Sequence, residues 1–232
     1  NNASSINIPY AEEYPFFELL KMEKETIGIY VSGHPLSQYL AFAKAKKLNN
    51  VMEILEKSKD GIKGFGEGDN VCLIAMLQGK KLFTTRSGGQ MCFIQVEDMT
   101  GSMEGIVFPK VFEECRSLLK DDAVLEFFGH ISFKDEEDAK LIVDKVSLAD
   151  DFVESCKRMN LCIRLSSKNE ALLQKTLEII KSDGGKGASK VCFYFEDIKK
   201  LASHKSCPEI LISADLLDKL FKAIGEDNIA FM

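Results

Sequence analysis

The chain has 232 residues, 45% of them hydrophobic and 28% charged, and its 36 acidic against 30 basic residues leave a formal net charge of −6. Such a composition suits an ordinary globular protein of two modest domains and excludes a global basic footprint, so any nucleic-acid binding must be local. With no apolar stretch near the roughly 20 residues that span a bilayer and no charged-then-apolar leader, the expectation is a soluble, cytoplasmic protein with no membrane partner.

Residues 1–12 show no periodicity and read as a linker or boundary segment. From Phe16 to about Tyr30, Leu19, Leu20, Met22 and Ile27 fall at helical spacing and predict a first helix. Gly33 and Pro35 supply a stop and a new start, so Ser32-Gly33-His34-Pro35 reads as a junction between helices in which His34 satisfies a backbone group. A second helix is expected over 36–47, with Leu36, Tyr39, Leu40 and Ala43 on one face, and a third over 50–56. Lys44, Lys46 and Lys47 read as a solvated rim. Residues 13–60 thus form a short helical segment.

Gly61, Gly64, Gly66 and Gly68 mark a boundary, after which strands are expected near 71–85, 90–97, 102–108, 122–133 and 139–148, with a helix over 111–119. Three strands, a helix and two strands is the order of a five-stranded OB-fold β-barrel, here residues 61–150. In the second strand Cys92, Ile94 and Val96 alternate with Met91, Phe93 and Gln95, so the first set fills the barrel and the second faces out. Asp98 opens a turn through Thr100 and Gly101, where its carboxylate serves nearby backbone N–H groups rather than a metal.

Residues 151–159 read as a linker and 160–232 as a small α+β sandwich. Its expected elements are strands at 161–165, 191–196 and 209–212, a helix over 169–180 with Leu173, Leu177 and Ile180 inward, and a helix capped by Ser213 and ended by Gly225. A final edge strand takes 228–232. The fold class is therefore α+β and multi-domain. The loop 182–189 is no phosphate loop, because it follows a helix and leads into a strand. Seven cysteines without C-x-x-C spacing read as reduced core packing, and no metal or cofactor is expected. A Cys207–His204 pair, the one enzyme-like pairing, has no third orienting group.

Residues 23–36, Glu-Lys-Glu-Thr-Ile-Gly-Ile-Tyr-Val-Ser-Gly-His-Pro-Leu, form a string that amphipathic periodicity does not explain. It resembles the segment before the barrel in the alpha subunits of bacterial DNA polymerase III, the replicative polymerase. Phe93, Glu97, Asp98, Thr100, Gly101, Ser102, Glu104, Phe108 and Pro109 resemble the barrel of the same family, in the same order. The resemblance implies a C-terminal accessory region of a nucleotidyltransferase whose catalytic aspartates lie far upstream, so the chain by itself is not expected to be an enzyme. It also implies DNA replication as the setting, single-stranded DNA as the barrel's partner, the clamp-loader tau subunit as the partner of residues 160–232, and contact with the rest of the polymerase chain. The sliding clamp is implied only through an upstream peptide not visible in these residues. The anticodon-binding barrel of an aminoacyl-tRNA synthetase is a more distant likeness that leaves 23–36 unexplained.

OB barrels stack bases on exposed aromatic side chains and meet phosphates with basic loops. The expected DNA track is Phe93 and Gln95 on strand two, Lys80, Lys81 and Arg86 by the first loop, and Lys134 and Lys140 around the last hairpin. Between residues 71 and 150, nine Lys and Arg stand against fourteen Asp and Glu, so affinity should be modest and salt-sensitive. The alternative is a protein-interaction region whose barrel does not bind DNA, with Phe93 beneath a neighbour. In the last domain Ile229, Phe231 and Met232 are the expected partner-binding tail, unless that tail closes the domain's own sheet.

Overall fold

The computed structural model of the protein describes residues 14, 16–28, 30–59, 64–133, 138–205 and 207–232. Three helices come first: α1 (Phe16–Ile27), α2 (Ser37–Lys46) and α3 (Val51–Lys59). α1 stops short of Tyr30 because Gly28, at φ 82°, takes the left-handed turn that ends a helix and donates its N–H to the Lys24 carbonyl at 2.9 Å. Of its expected apolar face only Leu20 is buried, while Leu19, Met22 and Ile27 are exposed. The face of α2 also differs from expectation. Leu36, Tyr39, Phe42 and Ala45, three residues apart, are buried, whereas Leu40 is exposed.

The barrel follows: β1 (Asn70–Thr84), β2 (Gln90–Glu97), β3 (Ser102–Val107), α4 (Pro109–Cys115), β4 (Val124–Ser132) and β5 (Lys140–Leu148). Its strands close in the order β1-β2-β3-β5-β4, with β3 and β5 parallel and the other pairs antiparallel. Cys92, Ile94 and Val96 point inward, at 0, 2 and 0% exposure, beside Leu73, Phe127 and Leu141. Met91, expected outside, is buried as well. At Gly129 a Cβ would lie 2.1 Å from the Ile142 carbonyl oxygen, so the β4–β5 bulge at this position admits only glycine.

α3 belongs to this barrel. Val51 and Ile54, both 0% exposed, join its core. The β2–β3 turn holds the start of α3: Asp98 Oδ2 accepts the Val51 N–H at 2.8 Å, and Thr100 Oγ1 accepts that of Met52 at 3.0 Å. Asp98 Oδ1 meanwhile accepts the N–H groups of Thr100 and Gly101 at 2.7 and 3.1 Å, which closes the turn itself.

Residues 151–159, expected as a linker, lie mostly within a helix, α5 (Ala149–Lys157). Asp150 and Asp151 sit in its first turn, where the helix dipole favours acids, and Ala149, Phe152 and Cys156 share a buried face. Beyond it lie β6 (Leu161–Leu165), α6 (Glu170–Asp183), β7 (Val191–Phe195), β8 (Lys200–Ala202), α7 (Ala214–Ile224) and β9 (Ile229–Phe231). The sheet order is β8-β7-β6-β9. Residues 209–212 are not a strand of this sheet. Ile210 bridges only to Ser189, and the Leu211 N–H binds the Gly184 carbonyl at 2.6 Å, so the segment pairs with the connector after α6. The unforeseen strand is β8, reached through a turn in which Lys199 stands at φ 51°.

α2 packs in this second core. Leu36, Tyr39, Phe42 and Ala45 join Leu161, Leu216, Leu220 and Ile229, and the Phe42 and Phe231 rings stack at 6.4 Å. The Tyr39 hydroxyl donates to Asp150 Oδ1 at 2.8 Å. The helical segment is thus shared, α2 with one core and α3 with the other. Between them Asn49 is pinned to β1, its N–H on the Cys72 carbonyl at 2.8 Å and its Oδ1 on the Cys72 N–H at 3.0 Å.

Candidate nucleic-acid interface

The 23–36 string makes structure rather than chemistry. The Glu23 carboxylate accepts the N–H groups of Val31 and Ser32, each at 2.9 Å, and the Ser32 hydroxyl. These bonds, that of the Ser32 hydroxyl foremost, hold its carboxyl below the usual range. Lys24 pairs with Asp122 at the turn before β4 and lies 5.2 Å over the Tyr30 ring, while the Tyr30 hydroxyl reaches Met76 Sδ of β1 at 3.7 Å. His34 packs edge-on to Tyr30, and its Nδ1 accepts the Leu36 N–H at 3.2 Å, the backbone role expected of it. Burial keeps its pKa low, which favours the neutral ring that this bond requires.

The open outer surface of the barrel lies on β1, β2 and β3. β4 accompanies β1 only to Met76, and from there β1 runs on to Thr84 paired with β2. In this ribbon Lys81 stands opposite Phe93, and Phe83 opposite Met91. The rings of Phe83 and Phe93 meet edge to face at 6.4 Å and 76°, leaving Phe93 half-buried and Phe83 53% exposed. The row continues outward across the sheet through Ile106 opposite Phe93 and Ile142 opposite Ile106, both half-buried. Gln95, exposed, stands opposite Glu104, and Lys140 lies 3.7 Å from that carboxylate. Arg86 is exposed in the loop from Thr85 to Gly89, which is closed by the Thr85 N–H on the Gly89 carbonyl at 2.8 Å.

One expected track residue stands elsewhere. Lys80 occupies the opposite pleat from Lys81, and its ammonium binds the Leu119 carbonyl. Lys134 lies outside the described residues. Phe83 went unread in the sequence, although it shares strand parity with Lys81; the signal was present once β1 is followed unbroken to Thr84. Ile106 and Ile142 needed the β3–β5 pairing, which spacing alone does not reveal.

Among the tail residues, Ile229 is 0% exposed and Phe231 stacks on Phe42, while Met232 is 50% exposed. Burial pushes the Cys207 thiol's pKa up, the opposite of what a nucleophile needs. Among the described residues no group of three or more His, Cys, Asp or Glu side chains is placed to hold a metal ion, and no helix is long and apolar enough to cross a membrane.

An OB-fold nucleic acid binding domain family matches residues 71–149. The DNA polymerase III subunit alpha of Bacillus subtilis is 28% identical over 219 residues, covering 94% of this chain and 19% of its own length. That of Borreliella burgdorferi is 31% identical over 232 residues, covering 97% of this chain and 19% of its own length. The chain therefore spans about a fifth of the length of these curated relatives. Among solved structures, the SSB domain of a Synechococcus protein aligns with 35% of this chain and 96% of its own, at 13% identity and a TM-score of 0.32.

Proposed function

We propose, from the premise that this chain belongs to the DNA polymerase III alpha-subunit family, that its barrel holds single-stranded DNA on the outward face of β1, β2 and β3. The observation that carries this reading is the placement of Lys81, Phe83 and Phe93 on one face of one ribbon, with Arg86 in its loop. Bases stack on the two phenylalanines, phosphates lie toward Lys81 and Arg86, and Gln95 offers hydrogen bonds to base edges. Glu104 holds Lys140 at the far side and limits the positive field there. Replacing Phe93 with Ala should weaken binding of a labelled oligonucleotide by about 1–3 kcal/mol. Fluorescence anisotropy reads this directly, and unchanged affinity would refute the stacking role.

Within a polymerase this region is an accessory one, acting in replication without the catalytic step. The reading rests on the family and on the 19% of the relatives' length that the chain covers. Primer extension by the isolated chain would overturn it. Residues 160–232 are proposed as the docking unit for the clamp-loader tau subunit, on the family resemblance and on the exposed apolar side chains of Ile198, Leu201 and Met232. Because Ile229 and Phe231 are engaged in the core, Met232 is the tail residue left to touch a partner. Co-purification of tau with Met232→Glu unchanged from the parent would remove the tail from that role.

A second reading makes the barrel a protein dock, and the acidic excess between residues 71 and 150 favours it. A flat single-stranded DNA titration, with Phe93 needed instead for holding another part of the polymerase, would establish that reading in place of the first.

A further inference from the structure

Cys162 and Cys192 do not serve as the core packing expected of the cysteines. They are Cα partners in the parallel pairing of β6 with β7. Leu161, Ile163, Val191 and Phe193, which flank them, are buried in one core with side chains of α2, α6 and α7. Strand alternation therefore turns Cys162 and Cys192 to the opposite face of the sheet, where both are half-buried free thiols. Among the described residues no other two cysteines stand opposite each other across a strand pairing. Cys92 and Cys115 are near enough to feel each other's charge, but both are buried in the barrel.

Neighbouring strands run about 4.8 Å apart, and a disulfide joins residues whose Cα atoms are roughly 4.4–6.8 Å apart. The structure assigns Cys162 and Cys192 as a modification site, a dithiol that a hydroperoxide converts to a reversible disulfide. Burial first, and the charge of Cys192 second, hold the Cys162 pKa up, which leaves Cys192 to start the reaction. Its thiolate attacks one peroxide oxygen: an S–O bond forms, the O–O bond breaks, and the other oxygen leaves as water or an alcohol, taking up the proton that the Cys192 thiol released. The Cys162 sulfur then attacks the Cys192 sulfur: the S–S bond forms, the S–O bond breaks, and the hydroxyl leaves as water with the Cys162 proton. The two thiols lose two electrons and two protons, and the peroxide is reduced. The link joins the two inner strands of the sheet and stands apart from any reading of the DNA face.

Cys207 supplies the control, since its thiol also feels the charge of Cys192. The test treats the reduced 232-residue chain with hydrogen peroxide, alkylates the remaining thiols and maps linked peptides by mass spectrometry. The chain should become lighter by two hydrogens, with Cys162 and Cys192 in one linked peptide pair that dithiothreitol separates. Cys207→Ser should form the same link. Cys162→Ser should not, and its Cys192 should then carry a sulfenic acid that dimedone labels. A link from Cys192 to Cys207, a link between two chains, a sulfinic acid on Cys192 of the parent, or Cys162 and Cys192 both still open to alkylation overturns the assignment.

Discussion

Replacing Asp98 with Ala removes the carboxylate that joins the β2–β3 turn to the start of α3. Four hydrogen bonds go with it: Oδ2 with the Val51 N–H at 2.8 Å, and Oδ1 with the Thr100 N–H at 2.7 Å, the Thr100 hydroxyl at 2.6 Å and the Gly101 N–H at 3.1 Å. The bond to Val51 satisfies a helix-start donor, a contribution of about 0.5–2 kcal/mol. Those within the turn are charge-assisted but partly solvated, so together they add about 1–2 kcal/mol rather than their full sum. The expected loss is therefore about 1.5–4 kcal/mol, and Asp98→Asn, which keeps one acceptor oxygen, should lose about half as much. Urea unfolding measures this through the shift in midpoint at constant slope. A midpoint for Asp98→Ala within about 0.5 kcal/mol of the parent would mean that packing of Val51 and Ile54 alone seats α3. Stabilisation of the parent, but not of the variant, by added Mg²⁺ would refute the structural role and restore a metal role for this acid.

Val96→Asp should yield no folded barrel, because Val96 is 0% exposed and an unpaired charge there costs several kcal/mol of a total of about 5–15; an unchanged thermal melt would mean that the strand register has been misread. Phe42→Ala should destabilise the second core by about 3–5 kcal/mol and raise hydrogen exchange in β9, whose Phe231 it stacks on; unaltered exchange there would show that α2 is not part of that core. Acid should destabilise the fold. Glu23, Glu67, Asp183 and Asp197 have pKa values below their ordinary ones, held down respectively by the Ser32 hydroxyl, the Phe133 N–H, the Lys219 ammonium and the Ser167 N–H. Each binds its proton more weakly folded than unfolded, so its stabilisation is complete above the ordinary carboxylate range and is lost as pH falls through that range and below. Melting temperature followed from about pH 6 to about pH 3 should drop, and drop less steeply for Asp197→Asn; equal slopes would remove Asp197 from the account.

The barrel was legible because the order of strands and helix, the alternation of Cys92, Ile94 and Val96 in β2 and the Gly, Thr and Asp of the turns all agree with the closed sheet, although β1, buried without a break from Leu73 to Leu77, does not alternate. Asp98 was legible for the same reason, since its turn bonds lie within three residues. Its bond to Val51, 47 residues away, was not. The face of α2 escaped because Leu40 and Ala43 suit an amphipathic stripe, and only contact with α7 and β9 selects the row of Tyr39, Phe42 and Ala45. α5 escaped because its nine residues carry only three buried apolar groups among acids. On the interface, the outward placing of Phe93 followed from strand parity, whereas Lys81 and Lys80 were read alike as basic residues by the first loop, and the diversion of Lys80 to Leu119 depends on where the turn before β4 comes to rest.

The central claim, that the β1–β2–β3 face holds single-stranded DNA, is tested most directly by titrating a labelled oligonucleotide with the chain at several salt concentrations. The logarithm of affinity should fall linearly with the logarithm of salt, with a slope reduced by about one to two when Lys81 and Arg86 are both replaced by Gln, and Lys80→Gln should leave the slope alone because its ammonium is occupied by the Leu119 carbonyl. Binding that is absent at low salt, or a slope that Lys80→Gln alters as much as the Lys81 and Arg86 pair does, would contradict the assignment of this face.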